Sequence, residues 1–184
     1  MTRSVINSAL VARALAALVL TAAAGAVPEE QVDDEFLREM IHYSEVLEQK
    51  ILAEGRPLTD AEKELARRAN IKDVDRVRVL VRDSVPLPES ERLRQRLEEI
   101  GFLSLIRTAL GTTKGYGIIL TPAGFKRPTS LAHELIHVAQ YERLGGIAAA
   151  MEYHLPNLKA NGYRQSELED EAFRLAPAIV NPDN

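Results

Sequence analysis

One stretch, Leu131 to Gln140, restricts this chain more than any other: Leu-Ala-His-Glu-Leu-Ile-His-Val-Ala-Gln. The spacers Leu135, Ile136, Val138 and Ala139 are apolar, so a helix through here must be buried, and its polar groups must have a task there. Residues four apart lie on one helix face. His133 and His137 can therefore offer two imidazoles to one metal ion. Glu134 is turned by about 100° from His133, which suits it to take a proton from an attacking water rather than to bind the metal. Two ligands and one carboxylate base are what a zinc hydrolase requires.

A catalytic zinc site usually has three protein ligands and leaves its fourth position open. The chain has no cysteine, which excludes thiolate ligands, disulfides and thiol nucleophiles. The third ligand must be a histidine or a carboxylate. The pattern His-Glu-x-x-His-x-x-Gly-x-x-His is excluded, because Gln140 and Arg143 stand where Gly and His would be needed. His42 falls beside the apolar stripe of an earlier helix and reads as a packed or surface residue. His154 lies beyond Gly145-Gly146, on another helix. Glu167, Glu169, Asp170 and Glu171 offer four carboxylates on a predicted helix opened by Ser166. Ser166 and Glu169 also match a capping box, in which Glu169 would only reach back to a backbone N–H.

The run His133-Glu134-Leu135-Ile136-His137, followed by Glu169-Asp170-Glu171-Ala172, resembles the gluzincin pattern of zinc metallopeptidases. The stretch Gly111 to Ala172 is also similar to small bacterial domains of this type associated with secreted toxins and contractile injection systems. The resemblance implies Glu169 as third ligand and Ala172 as the small residue that lets its helix approach the His-Glu helix; among the other carboxylates of the cluster, Glu171 is the alternative ligand. It implies Zn²⁺ as cofactor, a peptide or protein as substrate, and Glu134 as general base. The rival is a non-catalytic zinc-holding binding or toxin-accessory domain; a helical module without metal is a third possibility. Tyr153 and Tyr163 are candidates for stabilising the reaction's oxyanion.

The rest of the chain is read in order. Arg3, Arg13, the apolar run Ala14 to Leu20 and Ala24-Gly25-Ala26 form a signal peptide over residues 1–26, or an uncleaved anchor. The expected location is periplasmic or secreted, with inner-membrane anchoring as the alternative. The net charge of −4 becomes more negative without those two arginines, which argues against nucleic acid and anionic membrane surfaces as partners. Residues 27–110 form a helical region with one strand, within the same domain as a metal-binding core over 111–176; 177–184 is a tail. Helices are expected over 29–54, from Thr59 to about Ala69, and over 89–107 with an interruption at Gly101. Val77, Val79 and Val81 should face inward from a strand. Gly111 to Gly117 reads as a flexible turn, Tyr116 to Leu120 as a strand that could be an edge for an extended peptide, and Thr121 to Gly124 as a turn. Thr129 or Ser130 should cap the His-Glu helix. Pro156 and Pro177 should stop the last two helices. The expected fold is mainly α (α+β), a minimal zincin-like domain with a small sheet packed on the His-Glu helix.

Overall fold

The computed structural model describes residues 33–182. The targeting segment lies outside them, and among the described residues no helix is long and apolar enough to cross a membrane. The architecture is mainly helical with one small mixed sheet, as expected. Among the described residues eight α-helices, α1 (Asp34–Glu54), α2 (Asp60–Arg68), α3 (Glu91–Glu99), α4 (Phe102–Thr108), α5 (Pro122–Phe125), α6 (Pro128–Leu144), α7 (Ile147–Asn161) and α8 (Glu167–Val180), accompany four strands. The strands are β1 (Arg56–Pro57), β2 (Arg78–Val81), β3 (Gly111–Lys114) and β4 (Gly117–Leu120).

Local chemistry sets most boundaries. Asp33 caps α1 through the Phe36 N–H at 2.7 Å. Thr59 and Glu62 form the expected capping box of α2. Gly101, at φ 77°, divides the region 89–107 into two helices, since the left-handed conformation is open to glycine at little cost. α6 begins with Pro128 at its first turn rather than with a Thr129 or Ser130 cap, because proline is pre-set for that position. Pro156 and Pro177 do not stop α7 and α8. Both sit on exposed faces, where the carbonyl each proline leaves unbonded can meet water, and the buried Leu158 and Ile179 hold the following turn in place.

The sheet order is β1-β2-β4-β3, with β2 and β4 parallel and the outer pairs antiparallel. β4 is therefore internal. The stretch expected as a flexible glycine-rich turn is instead the edge strand β3 followed by the two-residue turn Gly115-Tyr116. Gly117 to Leu120 are all buried, because both faces of β4 are covered. Ile118 and Leu120 pack with Leu135 and Val138 of α6, while Ile119 packs with Leu47 and Ile51 of α1. Val77 and Val79 are buried as expected, but Val81 ends its strand 43% exposed. Thr121 caps the short α5 where a turn was expected. A second cluster joins α1, α3, α4 and α7 through Phe36, Leu93, Leu97, Leu103, Met151 and Leu155. The consequence for the site is that α6 lies between the sheet and α8, with one end of its polar face open towards α1, α4 and α7.

Candidate metal centre

Helical spacing on α6 places His133 and His137 one turn apart, with their Nε2 atoms 3.0 Å from each other. α8 packs along α6, and the fully buried Ala172 joins the same core as Leu135 and Val138. Glu169, 6% exposed, enters from that helix. Its Oε2 is 3.3 Å from His133 Nε2 and its Oε1 is 3.5 Å from His137 Nε2. One ligand atom from each of His133, His137 and Glu169 falls within 4.8 Å of the others. Ser166 makes no side-chain cap hydrogen bond, so Glu169 is not spent on a capping box.

The donor set fits a divalent metal ion. With both imidazoles neutral and protonated at Nδ1, the three facing atoms are all acceptors, and acceptors this close require a shared proton or cation between them. Glu169 Oε2 is buried without a hydrogen-bond partner. Two imidazoles and a carboxylate with no sulfur are a set suited to zinc.

Gln140, quoted in the motif but given no role from sequence, orients His137. Its Nε2 donates to the Leu168 carbonyl at 2.9 Å and to Glu171 Oε2 at 2.8 Å. Its oxygen therefore faces His137 and accepts from Nδ1–H at 2.7 Å. That fixes the tautomer, with the Nε2 lone pair directed at His133 and Glu169. Position i+3 from a candidate ligand histidine on the same helix was the sequence signal available. Glu171, the alternative ligand, is turned away and pairs with Arg143 at 2.7 Å. His133 is held differently. Its ring lies 4.5 Å from that of Phe173, and its Nδ1 is buried without a partner.

Glu134 is 6% exposed. The Thr113 hydroxyl lies 2.7 Å from its Oε2 and 3.0 Å from its backbone carbonyl, and shares its one proton between them. β3 presses on this carboxylate: a Cβ at Gly111 would lie 2.8 Å from Glu134 Oε1 and 3.0 Å from the Ile119 carbonyl, so only glycine allows the approach. Burial raises the Glu134 pKa above the ordinary carboxylate value, opposed by His137, His133 and the Thr113 hydrogen bond. Burial disfavours the charged forms of His137 and Glu169 as well. Their mutual attraction outweighs it, lifting His137 to about 9 and holding Glu169 well below the carboxylate range.

These groups line a cavity of 610 Å³. His154 lines it too, with Nε2 4.0 Å from Glu169 Oε1; burial pulls its pKa down to about 4, so it faces the cavity as neutral imidazole. Tyr163 also lines it, its hydroxyl made less acidic by burial and by the neighbouring Glu169. Tyr153 does not: it is 42% exposed and bonded to Glu167. His42 is exposed on α1. Lys114, which carried no expectation, lines the cavity, and burial pulls its pKa down to about 8 against the pull of Glu134 and Glu169.

No family model matches this chain, no curated protein matches its sequence and no solved structure matches its fold.

Proposed function

We propose that the protein is a zinc-dependent hydrolase of gluzincin type, acting on peptide bonds, with His133, His137 and Glu169 as metal ligands. The observation that carries this reading is the convergence of those three ligand atoms within 4.8 Å, beside a buried carboxylate, on the wall of a cavity large enough for a peptide segment. A zinc ion bound there would supply Lewis acidity to water and to the scissile carbonyl. Glu134 accepts the proton of the attacking water and later delivers it to the departing amine. Its raised pKa suits that double task, because a carboxylate closer to neutrality both takes and returns a proton readily. Thr113 holds the Glu134 carboxylate in place. His154 and Tyr163 are the cavity's polar groups placed to meet a developing negative charge. Export through the N-terminal segment belongs to the same reading.

Metal analysis and turnover test the proposal together. The full chain, purified without chelator, should carry about one zinc, and His137→Ala and Glu169→Ala should carry none. Cleavage of a mixed peptide library, followed by mass spectrometry, should fall about 10²- to 10⁴-fold in Glu134→Gln while zinc stays bound. Zinc bound but no cleavage by the parent chain would leave a metal-holding binding domain instead. A parent that takes up no metal sinks both readings.

A further inference from the structure

Lys114 is a charged group that the hydrolytic reading leaves unused. It is the last residue of β3 and lines the cavity. Surface cations such as Arg92, Arg107 and Arg143 each have a carboxylate partner. The Lys114 side chain, half-buried and in greater need of one, makes no hydrogen bond or ion pair among the described residues; its neighbour of note is the Tyr43 ring, 5.8 Å from Nζ. Thr113 meets Glu134 from one face of β3, so Lys114, the next residue, enters the cavity from the opposite face, beside Tyr43 of α1, with Glu134 and Glu169 within electrostatic reach. Beyond it the wall is apolar, built by Leu97, Phe102, Ile106, Met151 and Leu155. A half-buried ammonium without an anionic partner keeps only part of its hydration, and a ligand that brings an anion makes up the loss.

We infer that Lys114 and this apolar wall recognise a carboxylate attached to a bulky apolar residue, namely the free C-terminus of a peptide ending in a residue such as Phe or Leu. What becomes of that peptide rests on the hydrolase reading; its binding does not. A cavity of 610 Å³ holds one or two residues, within the range of about 300–1,000 Å³ typical of small-ligand sites. Gly111, Thr112 and Thr113 of the edge strand line the same space, so a ligand reaching Lys114 passes backbone N–H and C=O groups. Amide groups can use those; a hydrocarbon chain cannot. Removing Lys114 should therefore abolish a preference for acid over amide without loosening the fold.

Calorimetric titration of the full chain carrying Glu134→Gln, which needs no turnover, tests this. The probes are N-acetyl-Ala-Ala-Phe as free acid and as C-terminal amide, and dodecanoate, each with zinc-loaded and with chelator-treated protein. The acid should bind about 10- to 100-fold tighter than the amide in both preparations. Adding Lys114→Met should bring the two within about twofold with the melting temperature unlowered, and adding Lys114→Arg should restore most of the preference. Equal binding of acid and amide by the parent overturns the proposal. So does a preference that survives Lys114→Met, which would place the carboxylate elsewhere, or Lys114-dependent binding of dodecanoate alone, which would make the ligand a fatty acid. An acid preference in a chain that holds no metal would sustain this site while the hydrolase reading fails.

Discussion

The two flanks of the site are built by different means. Along the α6–α8 seam, His137 is fixed by a chain of directional bonds through Gln140 to the Leu168 carbonyl and Glu171, and on to Arg143. On the other flank, His133 is set by a ring contact with Phe173, and the cavity behind is shaped by side chains from α1, α3, α4 and α7. The seam specifies a tautomer and a charge state. The apolar wall specifies a volume. Each bond of the seam adds only about 0.5–1.5 kcal/mol net, but leaving a buried partner unsatisfied costs more. The wall's contribution scales with area removed from water and forgives changes of chemistry more readily than changes of size.

Three measurements can break or sharpen this contrast. The largest effect is expected from Leu97→Ala, which should lose about 2–5 kcal/mol in urea unfolding because Leu97 is fully buried at the wall. Zinc affinity should change little; an equal fall in affinity would mean the flanks are one unit. Gln140→Leu should act in the opposite sense, weakening zinc binding about 10- to 100-fold by releasing the His137 tautomer. A Gln140→Leu chain with unchanged affinity would show that packing alone orients the ring. The smallest effect concerns pH, and it belongs to the metal-free protein. The depressed Glu169 pKa contributes stability that is present above its ordinary 4.5 and lost as pH falls below it. The raised His137 pKa contributes stability present below its ordinary 6.5 and lost as pH rises through about 9. Both describe one ion pair, so melting temperature in chelator should be highest between about pH 4.5 and 6.5 and decline towards 9. Saturating zinc should remove the alkaline decline, since the proton on His137 is then displaced. A metal-free melting point that climbs from 6.5 to 9 would contradict the pairing.

Much of the seam was legible in the sequence, and little of the wall was. His133 and His137 are bound to share a face by helical geometry, so their convergence needs no tertiary information. Placing Glu169 beside them depends on where α8 lands, which the small Ala172 permits but periodicity does not specify. Gln140 stood in plain view at helical spacing, but its role appears only once the Leu168 carbonyl is across from it. Lys114 and Thr113 were hidden because Gly111 to Gly117 reads as a loop on composition. Its strand character comes from pairing with β4 and from the bond between Thr113 and Glu134, neither of which is local. Pro156 and Pro177 misled for a related reason: the sequence signals a missing N–H, while solvent exposure and the packing of later residues decide whether the helix ends.

The order of the three candidate ligands along the chain would give metal binding a mechanical consequence. His133 and His137 precede α7 and Glu169 follows it, so an ion held by all three would clasp α7 into a closed loop. Met151 and Leu155 of that loop form part of the cavity's apolar wall. Such an ion would act as a rivet as well as a reagent: α8 could not swing away from α6 without first breaking a ligand bond. Loading would then stiffen a cavity that the packing of the chain already shapes.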